Sequence, residues 1–157
     1  MSGQGAEDPA LAVAPGWINV VETRTGRFVA QLLDGRHRLT ADEPVASGGS
    51  DLGPGPYELL LMALGACKTM TVRLYAERKQ WPLDRVYVRL RHSRIHAEDC
   101  ADCETKEGML DRIECVVELE GALDAEQRAR LFDISTKCPV HRTLTSEISI
   151  QSRLQES

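Results

Sequence analysis

From Trp17 onward the chain alternates apolar and polar residues in short runs, "WINVVETRTGRFVAQLLDGRHRLTADEP". Strict alternation over four to eight residues is the pattern of a half-buried strand, and Asp34-Gly35 is a strong hairpin turn. Three strands are predicted, over 17–23, 27–33 and 36–41. A Gly- and Pro-rich loop, "VASGGSDLGPGP", follows. Pro56 suits the first turn of a helix, where its missing N–H is no loss. A helix is predicted from Tyr57 to Lys79, with Leu60, Leu64, Cys67, Thr71, Leu74 and Arg78 as its inward stripe. Gly65 inside it loses about 1 kcal/mol against Ala, which calls for a packing reason.

Alternation then returns. "RVYVRLRH" places Val86, Val88 and Leu90 on one face, and "MLDRIECVVELE" does the same with Ile113, Cys115, Val117 and Leu119. These two strands are predicted to pair across a long connection, "SRIHAEDCADCETKEG". Asp124 with Gln127 three residues on is a capping box, predicting a helix to Lys137. Cys138-Pro139 breaks it, "PVHRTL" reads as a second short helix, and "EISIQSRL" reads as a last strand. The order β-β-β-α-β-β-α-α-β is that of an α+β protein. Residues 1–16 lack periodicity and are expected to be a disordered arm, leaving a single domain over 17–157. The long helix is apolar on more than one side, which predicts a homodimer that covers it.

Composition narrows the function. The 157 residues are 42% hydrophobic, enough for a core, and the net charge is −5 with no Lys/Arg block. Nucleic acid is therefore not an expected partner. No run of 18 consecutive apolar residues occurs, so no membrane span is expected. The N-terminal segment has no basic region followed by an apolar stretch, and a cytoplasmic protein is expected.

Five cysteines carry the candidate chemistry: Cys67, Cys100, Cys103, Cys115 and Cys138. Cys67, mid-helix, is either a small buried side chain or a reactive thiol that needs a cation or donor beside it. Cys138 would cap the "PVHRTL" helix, where free N–H groups favour a thiolate; the alternative is a plain helix break. Cys115 sits on a strand's inward face and reads as core. Cys100 and Cys103 form "DCADC", with His92 and His96 upstream. Those four residue types suit zinc, but one C-x-x-C is equally a redox or disulfide pair.

"GGSDLGPGPYELLLMALGACKTMTVRLYA" and "KCPVHRTL" together resemble the osmotically inducible protein C and organic hydroperoxide resistance (OsmC/Ohr) family, over about residues 17–153. The resemblance implies a domain-swapped homodimer with long central helices between sheets. It also implies thiol-dependent reduction of organic hydroperoxides, with Cys67 as the peroxidatic thiol and Cys138 as the resolving thiol. An external dithiol would be the reductant, and no cofactor would be required. Leu60, Leu64, Met70 and Leu74 are the expected apolar walls for the substrate.

The family's peroxidases carry a Glu directly after the helix-starting Pro, and it orients an Arg beside the thiol. Here Tyr57 takes that place and Glu58 follows it, about 100° further round the helix. Glu58 and Arg38 are the candidates for these roles; Arg36, His37 and His141 are alternatives. The competing reading is a metal- or small-thiol-binding protein that uses His92, His96, Cys100 and Cys103, with zinc as the metal, on the same scaffold.

Overall fold

The structure is a computed structural model and describes residues 8–155. The chain divides into two compact units, one ending at Leu59 and the other beginning at Leu60, so the single domain expected from residue 17 is described in two parts.

In the first unit, β1 (Asn19–Glu22), β2 (Ala30–Leu33) and β3 (Arg38–Ala41) form an antiparallel meander in the order β1-β2-β3. The register pairs Asn19 with Leu33 and Leu33 with Arg38. The strands are shorter than the alternation suggested, because their ends bend into turns. Asp34 organises the β2–β3 turn by accepting from the Arg36 and His37 amides and from the His37 ring. The loop after β3 folds back on the buried Asp42, whose carboxylate accepts from the Glu43, Ser50 and Leu52 amides. Burial pushes this carboxyl up, but the three amides outweigh it, and it ends below the ordinary carboxylate range. A Cβ on Gly49 would lie 1.9 Å from the Glu43 carbonyl oxygen, so only glycine lets that loop close.

The helix α1 (Pro56–Lys79) starts in this unit and continues through the second. Its buried residues are Leu64, Gly65, Lys68, Val72 and Ala76. The predicted stripe is therefore corrected: Leu60, Leu74 and Arg78 are exposed, and the face that packs is rotated by about one residue. Apolar side chains on several faces left the pattern without a unique solution, and Lys68 interrupted the row that is in fact buried. The packing reason for Gly65 is Leu90, whose Cδ1 lies 2.9 Å from where a Cβ would stand. By length and mean hydropathy (1.3 over its most apolar window) α1 could cross a membrane, which the absence of an uninterrupted apolar run had hidden. Within its unit it behaves as a core helix: Arg73 donates to the Leu83 and Asp84 carbonyls, and Lys68 is bonded internally.

β4 (Arg85–His96) and β5 (Met109–Glu120) form one antiparallel ladder, from Arg85 opposite Glu120 to His96 opposite Met109. Its outer face carries cross-strand pairs Arg85–Glu120, Arg89–Glu118 and Arg91–Glu114. Gly121 (φ +136°) makes the turn out of β5; a Cβ there would meet the Pro82 carbonyl oxygen at 2.1 Å. The capping box holds as expected: Asp124 Oδ1 accepts from the Gln127 amide and Gln127 Oε1 from the Asp124 amide, opening α2 (Ala125–Ser135). Val72, Ala76, Leu83, Leu123 and Leu131 form the core of this unit, with Tyr75, Trp81, Val86 and Leu119 packed on it. Next comes α3 (Pro139–Leu144). The last strand is not formed: residues 147–154 carry no strand structure, and Ile148, Ile150 and Leu154 stand exposed. An alternating segment becomes a strand only when a neighbour accepts its backbone bonds. Of the expected arm, residues 1–7 lie outside the described residues. Pro9–Leu11 form one 3-10 turn, tied to β1 by Asn19 Nδ2 donating to the Ala10 and Ala12 carbonyls.

Candidate active site

The end of α2, the start of α3 and the middle of α1 meet within the second unit. Helix α2 stops at Ser135, and its carbonyl lacks an intrahelical partner. Lys68 Nζ supplies one, donating to the Ser135 oxygen at 2.9 Å. Three residues on, Pro139 opens α3 with Cys138 as its N-cap, in extended backbone (φ −64°, ψ 148°). The Cys138 Sγ accepts from the His141 amide, and the Cys67 Sγ accepts from the Val140 amide, each at 3.4 Å. Two successive N–H groups of one turn thus hold two sulfurs that are 71 residues apart in the chain.

Both thiols are free. Cys138 is completely buried, whereas Cys67 keeps partial access to solvent. Burial pushes the Cys138 thiol up from its ordinary value, the His141 amide works against this, and the contact with Cys67 raises it again. A lowered value at the helix N-cap was one sequence expectation; desolvation exceeds the gain from one amide and reverses it.

The cation beside the thiols is Lys68, only 2% exposed, which the sequence reading passed over. Its spacing could have shown it: Leu64, Lys68, Val72 and Ala76 follow each other at intervals of four, and a lysine in such a row must find internal partners. Besides the Ser135 carbonyl it meets His141 Nδ1 at 3.0 Å. An ammonium has no acceptor, so Nδ1 must accept and the neutral ring carries its proton on Nε2. Burial, and then the Lys68 charge, hold His141 below the usual imidazole range. The same charge acts against burial at Cys138 and at Cys115, whose thiol burial pushes up.

His141 also lines a cavity of about 210 Å³ with Leu64, Asp111, Ile113, Cys115, Leu144 and Thr145. Of the four apolar wall residues expected, Leu64 lines this cavity, together with Ile113 and Leu144; Leu60, Met70 and Leu74 are exposed.

The remaining candidates fall elsewhere. Arg38, on β3, and Glu58 belong to the first unit. Glu58 Oε2 accepts from the Gly55 amide at 2.8 Å, which caps the start of α1. His37 is bonded to Asp34 in its turn. Cys100 and Cys103 are joined as a disulfide with Cα atoms 5.5 Å apart, which uses both sulfurs. His92 Nε2 lies 2.8 Å from Asp111 Oδ1. Among the described residues no three His, Cys, Asp or Glu side chains converge on one point, so the zinc expectation for His92, His96, Cys100 and Cys103 finds no assembled ligand set.

No curated protein matches the chain. Among solved structures, an OsmC-like protein from Mycoplasma pneumoniae superposes with TM-score 0.63 at 23% identity, covering 82% of this chain and 85% of that one. An organic hydroperoxide resistance protein OsmC from Legionella pneumophila gives 0.59 at 19%, covering 85% and 91%. The organic hydroperoxide resistance protein OhrB of Bacillus subtilis gives 0.56 at 19%, covering 84% and 93%. At these identities the likeness is one of fold. The profile of the OsmC-like protein family matches residues 48–153, which contain both thiols, Lys68 and His141, and the chain belongs to that family.

Proposed function

We propose that this protein is a thiol-dependent hydroperoxide reductase, with Cys67 as the attacking thiol and Cys138 as the resolving one. The observation that carries the reading is the pair itself: two free thiols whose sulfurs are held by successive amides of one turn, one reachable and one sealed. The names of the hydroperoxide resistance proteins with this fold agree with it.

Access assigns the roles. A peroxide must reach the sulfur it oxidises, and Cys67 is the one open to it. The Cys67 thiolate attacks the terminal peroxide oxygen, an S–O bond forms and the O–O bond breaks. The electron pair leaves on the alkoxide, which is protonated to the alcohol, and Cys67 becomes a sulfenic acid. The Cys138 sulfur then attacks the Cys67 sulfur. Its proton joins the departing hydroxide as water, and a disulfide remains. An external dithiol reduces that disulfide and is itself oxidised. Cys138 can stay a protonated thiol until needed, which fits its raised value and keeps it from competing for peroxide. The Val140 amide donates to the Cys67 sulfur, the atom that must carry negative charge to attack. The cavity walls suit an alkyl group.

Consumption of cumene hydroperoxide in the presence of dihydrolipoamide tests the proposal. The wild type should turn over, Cys67→Ser should not, and Cys138→Ser should consume about one equivalent and stop. Turnover that survives in Cys67→Ser removes the mechanism.

A further inference from the structure

The breaking O–O bond needs a proton at the leaving oxygen, and the thiols do not supply it in the first step. Resting on the peroxidase reading, we propose that His141 is the acid catalyst at that oxygen and that Lys68, acting through it, is the positioning residue and proton source. Lys68 gives a proton to His141 Nδ1 as Nε2–H is delivered to the alkoxide. The alcohol leaves, His141 ends neutral with its proton on the other nitrogen, and Lys68 ends as an amine. Solvent returns a proton to Lys68 and the ring tautomer resets before the next cycle, so charge and protons balance.

Four observations carry this. The Nζ–Nδ1 separation is 3.0 Å, and only one direction of donation is available to an ammonium. His141 lines the cavity together with the apolar Leu64, Ile113 and Leu144, which would hold an alkyl group. Its residue directly follows Val140, whose amide holds the attacking sulfur. And Lys68 is buried and fixed by a second bond to the Ser135 carbonyl, so its ammonium is aimed rather than mobile. The groups facing His141 are Lys68 from α1, Asp111 and Cys115 from β5, and the Cys138 sulfur at the start of its own helix. A ring held neutral suits a relay, since a protonated one could not accept from Lys68.

The test compares peroxides whose leaving groups differ in their need for a proton. Stopped-flow oxidation of Cys67 is measured with tert-butyl hydroperoxide, which releases a strongly basic alkoxide, and with peracetic acid, which releases acetate. In His141→Asn the amide oxygen can still accept from Lys68, but no N–H reaches the cavity. It should slow tert-butyl hydroperoxide about 100-fold, the scale of general acid catalysis, and peracetic acid far less. Lys68→Met should show the same selectivity, and Lys68→Arg, which keeps the charge and serves if the methionine variant does not fold, should recover part of it. Equal slowing with both peroxides in His141→Asn, or no slowing with either, overturns the relay and leaves the peroxidase reading standing. A wild type that reacts with tert-butyl hydroperoxide no faster than Cys67→Ser overturns both.

Discussion

Cys67 and Cys138 are held by successive amides of one turn but differ in access. Cys67 has solvent on one side and an amide on its sulfur; Cys138 is enclosed, and burial holds its thiol up. Iodoacetamide needs an exposed thiolate. Alkylation followed by mass spectrometry should therefore find Cys67 modified at least about 10-fold faster than Cys138 at neutral pH. Comparable rates would mean that the pair opens readily and that the division of roles is wrong. His141 gives a second measurement. Its folded value lies below the unfolded one, near 6.5, through burial first and the Lys68 charge second. Between those values the unfolded chain binds a proton that the folded chain refuses. Stability from this residue is therefore complete above about pH 6.5 and declines as the pH falls towards the folded value. Asp111 and Cys115 line the same cavity as His141, and they are common to wild type and variant. The Tm of the wild type should drop over that window more steeply than that of His141→Asn, and parallel curves would remove the effect.

Among the elements, those with local determinants were legible. The alternation on β4 and β5, the turn at Asp34-Gly35 and the capping box at Asp124 each depend on residues close in sequence. Both thiols and the cap at Cys138 were also readable, because Cys-Pro sets its own backbone. What escaped was settled by tertiary partners. The buried face of α1 was misplaced because several of its faces are apolar, and choosing among them needs Leu90 and the end of α2. The "EISIQSRL" segment alternates well but finds no neighbouring strand among the described residues of its own chain. Lys68 was overlooked because a charged residue in a helix is normally solvated; the carbonyl and imidazole that receive it lie 67 and 73 residues away. The capping box provides a prediction free of the active site. Asp124→Ala removes one acceptor at the start of α2 and frees the Gln127 amide, which should lower stability by about 1 kcal/mol in urea unfolding. A change near zero would mean that packing of Leu123 and Leu131, not the cap, fixes where α2 begins.

For the molecule as a whole, the question is what covers the apolar surface that each unit leaves open. On α1, Met62, Met70 and Leu74 are exposed, Met70 at 69%. On and just before the three-stranded sheet Trp17, Ile18, Val20 and Leu39 are exposed, and Ile148, Ile150 and Leu154 follow on the unpaired tail. Single exposed hydrophobes are ordinary, but several large ones on one helix mark an interface. Burying such a side chain fully is worth about 1.5–3 kcal/mol, so a few from each copy would offset the entropy of association. The occupant we propose is a second copy of this chain, because the helix that carries Cys67 also carries the uncovered face. Sedimentation equilibrium should give twice the chain mass at micromolar concentration. Met70→Glu combined with Leu74→Glu should shift it to monomer, since neither side chain is buried within its own unit and the fold has no use for them there. If the double variant stays dimeric, α1 is not the contact. If the wild type is monomeric, the exposed face belongs to a different partner, and the peroxidase cycle is complete within one chain.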